Sequence, residues 1–167
     1  MRRKFKRKKG KQITKANKVE YDGIKFDSRL ELFAYKAFKD AKIPFDYEGK
    51  TYLLHEKFTY PGRIYDKGKK DGKKVFKLKS SNVRKREYTP DLINEDPKWN
   101  FVVEVKGLRT PEFAMRFKLW LQYLTELGQS PDVYVPSNQK EVLETITLIK
   151  ERHKELHSKQ RNKTKIK

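Results

Sequence analysis

Apolar residues follow a helical period over one early stretch of the chain. Leu30, Phe33, Ala34, Ala37, Phe38 and Ala41 fall at i, i+3, i+4, i+7, i+8 and i+11, the stripe of an amphipathic helix. Ser28 followed by Glu31 forms a capping box at its start, and Ile43-Pro44 ends it. Before this helix, "VEYDGIKF" alternates and turns at Asp22-Gly23, which predicts a short strand or hairpin. After it, "FDYEGKTYLLHEKFTY" alternates and predicts strand over about residues 45–60.

The alternation breaks at Pro61-Gly62. "RIYDKGKKDGKKVFKLK" predicts a hairpin around Asp71-Gly72, and "SSNVRKRE" leads back to the main sheet, so residues 61–87 read as a basic insertion. Strands are expected at about 87–93 and 100–106. Thr110-Pro111-Glu112 starts a second helix, with proline at its first position. Phe113, Phe117, Trp120, Leu121 and Leu124 form its stripe, and Gly128 stops it. "DVYVPS" is a further strand. Asn138 with Glu141 opens a last helix, striped by Val142, Ile146, Ile149 and Leu156. The order α-β-β-β-α-β-α predicts an α/β sandwich around a small mixed sheet.

Charge changes this picture at the edges. The chain of 167 residues carries a formal net charge of +20. Residues 1–18 hold +10, residues 61–87 hold +8 and residues 150–167 hold +6, which leaves a mildly acidic body. The layout is a basic arm at 1–18, a domain at 19–149 carrying the 61–87 insertion, and a basic helix end and tail at 150–167. A polyanion is the natural partner, and nucleic acid is the commonest. Solvated, solubilising tails are the plainer alternative. With no cysteine, disulfides and thiolate metal sites are excluded. No apolar run approaches the roughly 20 residues of a membrane span, and no apolar segment follows the basic start as in a secretory signal. A soluble, intracellular protein with no membrane partner is expected.

Candidate chemistry lies in "YTPDL" (88–92) and "FVVEVKG" (101–107). Side chains alternate faces along a strand. Phe101, Val103 and Val105 therefore share one face, and Val102, Glu104 and Lys106 the other. If the two segments form a hairpin with Ile93 opposite Val102, Asp91 stands opposite Glu104. Carboxylates that close repel unless a cation lies between them. A divalent ion such as Mg²⁺ suits those hard oxygen ligands, and Lys106 is then placed to polarise a water or stabilise a phosphate. The alternative is a surface salt-bridge ladder of Asp91, Glu104 and Lys106. Against it, Asp91 follows a proline, the Glu104–Lys106 strand is otherwise apolar, and Gly107 permits close approach. His153 and His157, at i and i+4 with no third ligand in view, read as solvated, and Phe117 and Trp120 read as core.

These motifs resemble the Pro-Asp…Glu-x-Lys signature of the restriction-endonuclease-like nucleases. "FDSRLELFAYKAFKDAKIPFDYE" and "VEVKGLRTPEFAMRFKLWLQ" are similar to stretches of the phage endonuclease I family of Holliday-junction resolvases, and the resemblance spans about residues 20–136. It implies a restriction-endonuclease-like mixed sheet flanked by helices. It also implies that Glu31, Asp91 and Glu104 hold divalent metals, Mg²⁺ or Mn²⁺ with two ions per site, and that Lys106 assists the attacking water. Glu31 has the competing role of capping its helix. The insertion falls near the connection that joins the two halves of the dimer in the resembled enzymes.

The resulting expectation is a metal-dependent endodeoxyribonuclease of phage type, selective for branched DNA such as four-way junctions. Backbone contacts would come from Arg2, Arg3, Lys4, Lys6, Arg7, Lys8 and Lys9 in the arm, Lys79, Arg84, Lys85 and Arg86 in the insertion, and Arg109 after the second motif. It would act as a homodimer or larger homo-oligomer in the host cytoplasm. A rival reading is a structural virion or assembly component that keeps the nuclease fold and binds DNA or other phage proteins through its basic surfaces. A module directed to RNA or only binding DNA ranks last, since no aromatic RNA-binding motif is recognisable.

Overall fold

The computed structural model describes residues 18–164. Residues 1–17 of the basic arm and the last three residues lie outside that range. The chain runs β1 (Val19–Tyr21), β2 (Ile24–Phe26), α1 (Arg29–Asp40), β3 (Asp46–Tyr47), β4 (Tyr52–His55) and β5 (Phe58–Thr59). Then come β6 (Ile64–Lys70), β7 (Lys73–Lys79), β8 (Asn82–Val83), β9 (Arg86–Tyr88), β10 (Leu92–Asn94) and β11 (Phe101–Val103). It closes with α2 (Pro111–Glu126), β12 (Asp132–Tyr134) and α3 (Gln139–Thr164). This is a mixed α/β chain with three helices and several small sheets.

The central sheet has the order β12-β11-β10-β3. β12 runs parallel to β11, and the other two pairings are antiparallel. Alternation along β10 and β11 splits the core in two. Leu92, Phe101, Val103 and Val105 pack with Ala34 and Phe38 of α1 and with Val142, Ile146 and Ile149 of α3. Ile93 and Val102 face the other way, against Phe113, Trp120 and Leu124 of α2 and the rings of Tyr52 and Tyr88. Helices thus cover both faces of the sheet.

The helix ends follow their sequence signals. The Ser28 hydroxyl accepts from the Glu31 N–H at 3.2 Å, and Thr110 does the same for Phe113 at 3.1 Å. Asn138 accepts from the Glu141 N–H at 3.0 Å, and the Glu141 carboxylate accepts from the Ser137 N–H at 2.6 Å. These contacts satisfy amide groups that a helix start leaves without partners.

Two expected strands are broken. The run over 45–60 divides because Glu48 adopts φ 47°, which turns the chain between β3 and β4. "YTPDL" divides because Pro90 has no N–H to give a ladder. Tyr88 therefore ends β9, paired with β4, while Leu92 begins β10, paired with β11. The basic insertion is the tip of a longer arm. β4 pairs with β9, β5 with β8, and β6 with β7 in nested order, and the β6–β7 turn at Asp71-Gly72 has φ 49° and 75°. His153 is not merely solvated. Its ring stacks on Trp99 with centroids 3.7 Å apart, and its Nδ1 lies 2.7 Å from the Lys98 carbonyl, tying α3 to the loop before β11.

Candidate active site

Ile93 pairs with Val102 and Leu92 with Val103. The next step of the register brings Asp91 beside the Glu104 segment. The Val105 N–H donates to Asp91 Oδ2 at 2.6 Å, which fixes that carboxylate across the hairpin. Beyond Val103 the strand edge continues to bond the end of β12 and the segment after it, with the Glu104 N–H donating to the Tyr134 carbonyl and the Lys106 N–H to the Pro136 carbonyl, both at 2.9 Å. Glu104 and Lys106 are thus held on rigid backbone. The ladder on an open surface is not what forms, because α2 covers this face and Glu104 is only 4% exposed.

Glu31 reaches the same place from the first turn of α1. Its carboxylate accepts from the Ser28 hydroxyl at 3.0 Å and from the Asp27 N–H at 2.9 Å, yet it also lines one cleft with Asp91, Glu104 and Lys106. Capping and site membership coexist. The cleft is about 590 Å³ and is walled further by Asp27, Glu48, Glu87, Thr51, Thr89, Tyr88 and Arg116. Six carboxylates against one lysine and one arginine make it an acidic hollow in a chain of net charge +20. A larger cleft, about 820 Å³ beside Phe45, is lined by aromatic and aliphatic residues with Lys39 and Lys42, and Asp46 is its one acid.

Protonation follows from this enclosure. Burial holds the Asp91 carboxyl well above the ordinary carboxylate range, and the neighbouring charges of Glu104 and Glu31 push it further. Asp91 keeps some exposure and lines the cleft. Burial also raises Glu104, against the opposing pull of Lys106, whose Nζ lies 3.5 Å from Glu104 Oε1. Glu31 rises for the same reason, opposed by its cap bonds. The Tyr88 hydroxyl adjoins the Glu104 carboxylate but misses hydrogen-bond geometry, and burial raises it far above the ordinary phenol value. Glu104 Oε2, Arg116 Nε and Tyr88 Oη are all buried without a partner. A hollow of crowded carboxylates with an orphaned oxygen is short of positive charge. Its donor set, oxygen and no sulfur, fits a hard divalent ion. Among the described residues no group of three His, Asp or Glu side chains is placed to hold a metal ion. Glu31, Asp91 and Glu104 line the same cleft without forming such a group.

The expected nucleic-acid contacts are more dispersed. Lys85 pairs with Glu87 at 2.7 Å and Arg86 with Glu112 at 3.4 Å. Arg109 donates to the Val135 carbonyl at 3.0 Å. Lys79 ends β7, Arg84 is exposed, and none of these five lines the cleft. Arg2, Arg3, Lys4, Lys6, Arg7, Lys8 and Lys9 lie outside the described residues. Arg116 is the residue the sequence reading missed. It stands at i+3 from Phe113 and i−4 from Trp120, inside the apolar stripe of α2, and a charge inside such a stripe was the available signal.

The fold and cleft define a mixed α/β chain with an acidic hollow beside a short central sheet. The chain belongs to the family described as "Protein of unknown function (DUF1064)", whose model matches residues 9–133. No curated protein and no solved structure matches it. Among the described residues no helix is long and apolar enough to cross a membrane.

Proposed function

We propose that this protein is a metal-dependent endodeoxyribonuclease with a restriction-endonuclease-like core, similar to phage endonuclease I and selective for branched DNA. The observation that carries the reading is the convergence of Glu31, Asp91, Glu104 and Lys106 on one acidic cleft of a strongly basic chain. Nothing about a purely structural chain calls for three enclosed carboxylates with raised pKa values, which cost stability at neutral pH.

In this reading Glu31, Asp91 and Glu104 hold Mg²⁺ or Mn²⁺, two ions per site. When bound, such ions supply a nucleophilic water near neutral pH and offset charge on the leaving oxygen. The chain's own groups do the rest. Lys106, on fixed backbone beside Glu104, orients the attacking water and donates to a phosphate oxygen. Arg116, with its Nε unpartnered in the cleft wall, neutralises the phosphate as negative charge develops. The basic surfaces hold the DNA backbone, giving affinity that falls steeply with salt and little base readout.

Cleavage of linear and four-way-junction DNA in Mg²⁺ or Mn²⁺, absent with chelator, is the test. No cleavage together with a stable large oligomer would favour the structural virion role. Lys106→Ala and Arg116→Ala should each lower the single-turnover rate by about 10²-fold or more, with DNA affinity in chelator within a few-fold of the parent. An Arg116→Ala enzyme at full rate would remove that residue from the mechanism.

A further inference from the structure

The β6–β7 hairpin buries no residue and pairs with no other strand. Its register sorts its side chains onto two unlike faces. Tyr65 pairs with Leu78, Lys67 with Phe76, and Lys69 with Lys74, and these six share one face. Phe76 is 74% exposed, Leu78 55% and Tyr65 50%. The Tyr65 and Phe76 rings lie nearly parallel, 22° apart with centroids at 6.0 Å. Both acids of the hairpin lie elsewhere, Asp66 on the opposite face and Asp71 in the turn.

Three large apolar side chains held in water on a ribbon this exposed cost solubility without adding to the core. They are explained by a partner, and the charge pattern selects it. A second copy of the same face would set Lys67, Lys69 and Lys74 against their own equivalents with no carboxylate to pair them. A duplex presents phosphates to the lysines but keeps its base faces stacked, which leaves the rings nothing to contact. Unpaired DNA offers both: base faces for Tyr65 and Phe76, and phosphates for the lysines that flank them.

We propose that the Tyr65–Phe76–Leu78 face of the β6–β7 hairpin is a stacking platform for unpaired bases of single-stranded DNA, with Lys67, Lys69 and Lys74 as its phosphate contacts. This rests on the reading that the partner is DNA, and it adds what the basic insertion engages: the exposed bases of a branch or flap. Each ring contributes stacking that is tolerant of sequence, and the lysines contribute the part that is sensitive to salt.

The full-length protein is titrated, in chelator so that nothing is cut, into labelled oligo-dT and into a duplex of equal length, followed by fluorescence anisotropy. Tyr65→Ala/Phe76→Ala is expected to weaken oligo-dT binding by about tenfold per ring or more. It should change duplex binding by less than threefold and keep the parent's slope of affinity against salt. Lys67→Ala/Lys69→Ala/Lys74→Ala is expected to weaken both and flatten that slope. All five positions are exposed, so circular dichroism and melting should match the parent. Equal loss on both DNAs, or no loss on oligo-dT, overturns the platform. A parent dimer that dissociates on Tyr65→Ala/Phe76→Ala with DNA binding unchanged assigns the face to self-association and overturns it too. Normal cleavage with an unaffected aromatic variant sinks this inference alone, whereas a parent that neither binds nor cuts DNA sinks the nuclease reading with it.

Discussion

Asp91→Asn is expected to abolish metal-dependent cleavage, by about 10³-fold or more, and yet to melt at a higher temperature than the parent when no metal is present. On the proposed reading, the loss follows from removing a charged oxygen ligand where several kcal/mol of transition-state charge stabilisation are at stake. The gain follows from the raised pKa of Asp91, caused by its burial and by the nearby charges of Glu104 and Glu31. A carboxyl held above its unfolded value of about 3.9 binds its proton more tightly in the folded state. Stability therefore falls as pH rises from the unfolded value toward the folded one, and the penalty is full above the folded value. Asparagine carries no such penalty, and its amide oxygen can still accept from the Val105 N–H that Asp91 Oδ2 accepts at 2.6 Å. The advantage of Asp91→Asn in metal-free melting should vanish below about pH 4 and grow toward neutrality. Millimolar Mg²⁺ should raise the parent's melting temperature, since a ligand at a hundred times its dissociation constant adds about 2.7 kcal/mol, and the variant should lose that response. An Asp91→Asn protein that cuts normally, or melts below the parent in chelator at pH 8, contradicts the assignment.

Local rules made much of this site legible. Alternation placed Glu104 and Lys106 together, and the register considered for the hairpin, Ile93 opposite Val102, is the one it adopts. Capping chemistry placed the starts of α1 and α2, with Ser28 and Thr110 each accepting an amide hydrogen. What stayed hidden depends on contacts distant in sequence. Pro90 marks a break after Tyr88, but nothing near it says that Tyr88 pairs with Tyr52. The nested arm escaped for the same reason, because alternation reports a strand but not its partner. Arg116 sits on α2, well after the motifs, and reaches the cleft only because α2 packs over Val102 and Ile93. The double role of Glu31 was visible as a competition between cap and ligand. The structure shows the two cap bonds and places Glu31 among the residues that line the cleft.

Trp120→Ala should be the most destabilising single change in the fold, at about 3–5 kcal/mol. Trp120 is fully buried and is the largest side chain in the core. It stacks on Tyr88 with centroids 4.8 Å apart and meets Tyr52 edge-on at 5.8 Å and Phe117 at 5.7 Å. Truncation leaves a cavity among rigid rings that cannot collapse to fill it. For a domain of this size each kcal/mol moves the melting temperature by about 2–4 °C, so a fall of roughly 10 °C is expected. The damage should reach the site as well. Tyr88 is held against Trp120 on one side and walls the cleft beside Glu104 on the other. Cleavage by Trp120→Ala should therefore drop even at temperatures where circular dichroism shows it folded. Trp120→Phe separates the two effects. It keeps an aromatic neighbour for Tyr88 and removes an indole N–H that is buried without a partner, so part of the cost of the lost volume is offset. It should melt closer to the parent than to Trp120→Ala and retain most of the cleavage rate. Thermal melts of the three proteins, with initial cleavage rates measured well below all three transitions, decide the matter. A Trp120→Ala protein that melts within a degree or two of the parent would mean that α2 does not anchor the sheet through this indole.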